Sequence, residues 1–199
     1  MAGGLFWLFP LVHVVRLNEL EATKRQAAFN AAEFVKSFWD ERLSPSLDQA
    51  ADASAVLAAL HDDPQTARAK VGRTVGVSRK WFVVLRGSGT IVSLENAGVG
   101  VALKLGEREP DIILQTGLLF GNTVRDATGA LDASDFANSQ HFNDVSTELN
   151  QIVESRVIPT LKEQAAVDRQ VEFIGCAEVS DDASDVGPLK VIPLRVSIK

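Results

Sequence analysis

Apolar positions along the chain change period partway. From Ala31 the residues Ala31, Phe34, Val35, Phe38, Trp39 and Leu43 recur at spacings of three and four, which predicts an amphipathic helix with an aromatic face. Leu17 to Asn30, with its charged run "RLNELEATKR", reads as a helical stalk before it. Ser44 and Pro45 carry a helix-start signal, a capping hydroxyl followed by a ring at the first helical position. Leu47, Ala50, Ala51, Ser54, Leu57 and Ala58 continue that predicted second helix to about Leu60, and "DDPQTARAK" restarts a short third one after Pro64.

Near Val71 the character turns to short β-rich runs. "KWFVVLR", "TIVSLEN" and "VGVALKL" are separated by "GSG" and by Asn96 to Gly98. Those separators supply turn residues, so Trp81 to Leu105 is predicted as a three-strand meander. Val99, Val101, Leu103 and Leu105 are assigned to its core face, and Gly100, Ala102 and Lys104 to the outside. "DIILQT" extends or continues the sheet. A polar stretch, "GNTVRDATGALDASDFANSQHFNDVSTELN", then runs into a long helix with Phe142, Val145, Leu149, Ile152, Val153 and Val157 on one face. Pro159 is expected to kink or end that helix near Ser155 to Ile158. "QVEFIGCAEV" and "LKVIPLRVSI" are the last two strands, joined by an acidic loop.

Three strands, a helix and two strands is the element order of an OB-fold barrel. The fold class expected is therefore α+β, an OB-fold-like antiparallel β-barrel with an N-terminal helical subdomain; an α+β sandwich with an open antiparallel sheet is the alternative. The division expected is an apolar leader and stalk over residues 1–30, a helical subdomain over 31–70 packed on the barrel, and the barrel over 71–199. A helix inserted at about 139–165 closes one end of that barrel.

Charge and cysteine usage narrow the functions. The formal net charge is −6, so no field draws in a polyanion. Between Val83 and Leu119 there is no Phe or Trp, so the usual OB-fold stacking platform for single strands is missing and no nucleic acid is expected. Cys176 is the only cysteine; one thiol makes neither an internal disulfide nor a cysteine-based zinc site. Leu5 to Val15 is apolar yet too short to span a bilayer, which takes roughly 20 residues. It is expected to be the end of a membrane anchor that begins upstream; an ordinary core or edge segment is the alternative.

No nucleophile elbow or phosphate loop is present, and the three histidines, His13, His61 and His141, do not share a metal-ligand spacing. No catalytic residue, cofactor or metal is assigned. The remaining polar density lies in Asn122, Arg125, Asp126, Asp132, Asp135 and Asn138. Short Asp and Asn side chains satisfy backbone amides in turns and caps, so most of it has a structural reading. Arg125, with five donors in a planar fork, is the member least expendable toward an anionic ligand or partner. Arg125→Ala is expected to leave the fold intact. A metal-dependent hydrolase built from Asp126, Asp132, Asp135 and His141 is an alternative, and requires those side chains to converge. A purely structural spacer is another, and requires no concave polar pocket near the loop.

The polar stretch, with "SFWDERLSPSLDQA" upstream and "FIGCAEV" downstream, resembles the bacterial predicted periplasmic lipoproteins of domain-of-unknown-function family 2291. The resemblance covers Ala31 to the C-terminus. It implies an OB-type barrel with helical additions on the periplasmic side of the inner membrane, anchored through the N-terminal segment. Members tend to be encoded beside sugar ABC transporters, so the partners implied are transporter components or a small polar ligand. No activity is established for the family, so no catalytic residue carries over. This chain departs from the lipoprotein pattern in having no cysteine after its apolar leader.

Overall fold

The computed structural model describes residues 29–76, 79–180 and 187–199. The chain divides into Met1–Asn30 and Ala31–Lys199; the expected apolar leader, and the stalk up to residue 28, lie outside the described residues. Every described helix and strand belongs to Ala31–Lys199.

The first helix, α1 (Ala31–Phe38), does not stop where its apolar pattern ends. It runs through a π turn at Trp39–Leu43, a last α turn at Ser44–Ser46 and a 3-10 turn at Leu47–Gln49. Pro45 offers no N–H to the preceding turn, and a wider turn just upstream absorbs the break. The expected restart capped by Ser44 is therefore one continuous helical path. The expected second helix is interrupted instead at Ala50, whose backbone opens to φ −57°, ψ 141°. Ala51–Asp52 forms a short strand, β1, before α2 (Ala53–Asp62) and α3 (Pro64–Val71). Asp52 caps α2 by accepting from Ala55 N at 3.0 Å. Asp63 caps α3, accepting from Gln65 N at 3.0 Å and from the Thr66 hydroxyl at 2.6 Å. The Thr66 hydroxyl first, then the amides of Gln65 and Thr66, hold the Asp63 carboxyl below its ordinary value.

The "GSG" segment is not a turn. Lys80–Glu95 is one 16-residue strand, β2, and its glycines answer to crowding. A Cβ on Gly87 would lie 2.8 Å from the Phe173 ring, and one on Gly89 would collide with the Ala102 carbonyl. The true hairpin is at Asn96–Ala97, ahead of β3 (Gly98–Ala102). Because β3 ends at Ala102, Leu103 is only half-buried and Leu105 is 91% exposed, whereas Gly100 and Ala102 are buried. That reverses part of the expected facing. β4 (Ile112–Gln115), β5 (Gln170–Ser180) and β6 (Leu189–Ile198) complete the sheet.

The six strands pair in the order β1-β2-β3-β4-β6-β5, and β5 pairs again with β2. β2 serves three neighbours along its length, β5 over Lys80–Thr90, β1 at Leu85–Arg86 and β3 over Thr90–Glu95, with a register shift against β3 between Ile91 and Ser93. The sheet is not wholly antiparallel as expected: β1 lies parallel to β2, and β4 parallel to β6. A parallel neighbour needs a long crossover, which the helical insertion and β5 provide between β4 and β6.

That insertion contains α4 (Thr123–Thr128), a 3-10 turn at Ala133–Asp135, α5 (Ser139–Ile152), a π turn at Val153–Val157 and α6 (Ile158–Gln164). Pro159 again follows a π turn. Its effect is the expected one near Ser155 to Ile158, taken up as a wider turn. α5 packs against α1, whereas α6 packs on β6. Leu161 of α6 is fully buried in the core with Trp81, Leu85, Ile112 and Val191. Burying a leucine in this way contributes about 2 kcal/mol. α2 and α3 add Ala53, Val56 and Ala67 to the same core. α2 and α3 thus share the core of the strands.

Candidate functional site

The polar stretch folds as a short helix with an exit held from several sides. Gly121 has φ +80° and Gly129 φ +55°, left-handed values that favour glycine. Gly129 caps α4, and a Cβ there would run into the Arg73 guanidinium. The Thr128 hydroxyl donates to Arg125 O at 2.8 Å and accepts from Ala130 N at 3.3 Å. Asn122, exposed at the N-cap, makes no side-chain capping bond, but its carbonyl accepts from Asp126 N at 2.8 Å.

Arg125 is buried, with 5% of its surface exposed. Its Nε donates to Asp126 Oδ1 at 2.7 Å and its Nη1 to Phe142 O at 3.2 Å. The guanidinium carbon lies 3.7 Å from the Phe142 ring centroid. The side chain thereby fastens α4 to α5, and the expectation that its loss leaves the fold untouched does not stand. Truncation would strand the Asp126 carboxylate, itself largely buried, without its counter-charge.

The other candidates serve the backbone. Asp132 accepts from Ser134 N at 2.8 Å and from the Ser134 hydroxyl at 2.6 Å. Asp135 accepts from Asp132 N at 3.3 Å, which completes a reciprocal capping box. The Ser134 hydroxyl, then its amide, hold the Asp132 carboxyl below its ordinary value. Asn138 caps α5 by accepting from His141 N at 2.8 Å. Rings tie the stretch down: Phe136 meets Phe34 edge-on at 5.5 Å and Phe142 at 5.2 Å. Among the described residues no three His, Cys, Asp or Glu side chains gather to hold a metal ion. The convergence that a hydrolase built on Asp126, Asp132, Asp135 and His141 requires is therefore not found. Cys176 is buried in β5, and burial pushes its thiol up to about 12.

Two features of this region do not stand out in the sequence. Just ahead of α4, Leu118 and Phe120 are 76% and 81% exposed, while Leu119 between them is buried. The backbone beneath them is braced: Leu119 N donates to Glu154 Oε1 at 2.6 Å, and Asn150 Nδ2 donates to Gly121 O at 3.1 Å. Glu154 sits in the π turn, which re-aims side chains along a helix. Exposed apolar residues outside an amphipathic pattern read as core in a sequence, so the pattern alone does not single out this pair.

The second feature is a groove of about 580 Å³ lined by Leu43, Leu47, Phe82 and Val83, by Lys70 and Arg73, and by Ala127 and Thr128 of α4. Arg73 exchanges two 2.8 Å backbone hydrogen bonds with Phe82, and its Nη1 donates to Gly129 O at 3.2 Å. Arg42 Nη2 donates to the neighbouring Ala130 O at 3.0 Å. The motif's exit thus presents carbonyls to two guanidinium groups from separate elements. A purely structural spacer predicts no concave polar pocket near the loop, and this groove, lined in part by Ser46, Gln49, Lys70, Arg73 and Thr128, lies beside it.

A solved OB-fold protein of Thermotoga maritima is 30% identical to this chain, with a TM-score of 0.79; the match covers 86% of this chain and 99% of that one. Among curated proteins nothing matches. The sheet and helices are those of a mixed α+β fold with an OB-fold neighbour. The family described as "Predicted periplasmic lipoprotein (DUF2291)" matches residues 2–197, and the chain belongs to that family.

Proposed function

We propose that the protein is a non-enzymatic accessory of the cell envelope, held at the periplasmic side of the inner membrane by its N-terminal segment. In this reading it assists solute uptake by a sugar ABC transporter through protein contact. The strands linked by pairing from β2 round to β5 and back support an OB-like barrel as the rigid body. Its binding surface is the motif loop on either side of α4, with Asn122 exposed ahead of the helix and Asp132 and Asp135 exposed after it.

The observation that carries the reading is the Leu118–Phe120 tip. Exposed large apolar side chains on a backbone held by buried partners are characteristic of contact surfaces, whose energy concentrates in a few apolar anchors ringed by polar groups. An enzyme reading has less support, because the candidate acids and Arg125 already bond the backbone or one another. The test is co-purification from solubilised membranes. The double variant Leu118→Ser, Phe120→Ser should keep the wild-type melting temperature and lose transporter components from the pulldown. Undiminished recovery of those components overturns the assignment.

A further inference from the structure

We infer that the groove between α1, α3, β2 and the end of α4 is a binding site for a small organic anion with an apolar body. Three observations point there. First, the volume of about 580 Å³ lies within the range of ligand clefts, roughly 300–1,000 Å³. Second, the lining sorts by chemistry. Leu43, Leu47, Phe82 and Val83 are buried beneath its floor, the apolar surface it offers comes from Val71, Ala51 and Val84, and among the described residues the only ionisable side chains lining the groove are Lys70 and Arg73. In a chain with six more acidic than basic residues (26 Asp and Glu against 20 Lys and Arg), a concave surface lined by cations without an acid selects an anion. Third, Arg73 is placed rather than dangling: its backbone is bonded both ways to Phe82 and one nitrogen is held by Gly129 O. A guanidinium fixed through one N–H keeps further donors in its fork for a carboxylate or phosphate.

Two other hollows among the described residues are less suited. In the one beside β5 and β6, of about 380 Å³, Arg195 is paired with Asp48 and Glu172 with Lys199. The one beside the β2–β3 hairpin, of about 240 Å³, contains Glu95 as well as Lys162.

The anion's headgroup faces Lys70 and Arg73, and its apolar body lies on Val71, Ala51 and Val84. This site is independent of the Leu118–Phe120 contact, so either assignment can fail alone. The experiment titrates the full-length protein with octanoate, octyl phosphate and neutral octanamide. Heats and amide chemical shifts are followed at low ionic strength. Octanoate or octyl phosphate should bind saturably, with shifts centred on Gln49, Gly72 and Thr128, and the tighter of the two names the headgroup. Octanamide should bind more weakly. Lys70→Gln, at an exposed position, should weaken the anions by roughly two- to fivefold, the size of one partly screened charge contact, and added salt should do the same. Gln49→Trp, exposed at the groove's rim, should fill it and abolish binding. Equal affinity for octanamide, shifts centred elsewhere, or unchanged binding in either variant overturns the site. The Leu118→Ser, Phe120→Ser protein should bind octanoate as wild type does.

Discussion

Residues 121–138 and the five residues that end at Gly121 make opposite use of their chemistry. The first stretch is dense in Asp, Asn and Arg and looks in sequence like a site. In the structure Arg125 is inside, Asp126 is its counter-ion, Asp132 and Asp135 cap one another's turn, and Asn138 starts α5. The second, "GLLFG", looks like core. In the structure only Leu119 is core, and its two neighbours stand in solvent. The lesson is that polarity marks a site only when it is left over after the backbone has been satisfied. The same applies in reverse to apolar residues left over after the core is full.

The sharpest way to break this contrast is to truncate the buried arginine. Arg125→Ala removes the hydrogen bonds to Asp126 and Phe142 O and the contact with the Phe142 ring. It leaves a carboxylate with 10% side-chain exposure lacking its partner. Denaturant unfolding should show a loss of about 3–5 kcal/mol. A loss within about 0.5 kcal/mol, typical of a surface site, would mean that the stretch is not the scaffold described.

A smaller effect is expected at the exit of α4. Gly129→Ala puts a Cβ on a residue with φ +55° and into the Arg73 guanidinium. The conformational part costs about 1–2 kcal/mol, and the collision adds to it. Repeating the substitution on Arg73→Ala separates the two, since only the steric part should vanish in the double-mutant cycle. A cycle with no coupling would show that the glycine is there for its backbone angle alone.

Much of the fold could be read because local chemistry and tertiary packing agree. Asp63–Pro64 starts α3, Asn138 starts α5, and Pro159 disturbs its helix where its missing N–H requires. The last two strands fall on the runs "QVEFIGCAEV" and "LKVIPLRVSI". The failures come where a distant contact decides. "GSG" has turn composition, yet Gly87 and Gly89 are small because Phe173 and Ala102 need the space. Ala51–Asp52 sits in a helical pattern, but Leu85 and Arg86 offer it a strand edge. Leu105 continues an alternation that the sheet does not follow, since β3 ends at Ala102. In the site, the capping roles of Asp132 and Asn138 were legible because their partners are two or three residues away. Arg125's burial, the exposure of Leu118 and Phe120, and the groove that sets Arg73 beside Phe82 and Thr128 were not. Each depends on elements distant in sequence.

Asp132 gives the smallest effect and the finest discrimination between a capping acid and a ligand-binding one. Its carboxyl is held below its ordinary value of 3.8 because the Ser134 hydroxyl, and then the Ser134 amide, donate to the ionised form. A depressed carboxyl binds fewer protons folded than unfolded at acid pH. Its contribution to stability is therefore complete above the unfolded value and is lost as pH falls through the folded one. Carboxyl-carbon NMR should find Asp132 titrating below an ordinary aspartate, and Ser134→Ala should move it back up. Asp132→Asn should remove its share of the acid-side slope of unfolding free energy. Added calcium or magnesium should leave the titration where it is, because the lone pairs that matter already face Ser134. A titration at or above the ordinary value, or one that shifts with either cation, would make this acid a ligand-binding group again and erase the difference between the polar stretch and the apolar tip beside it.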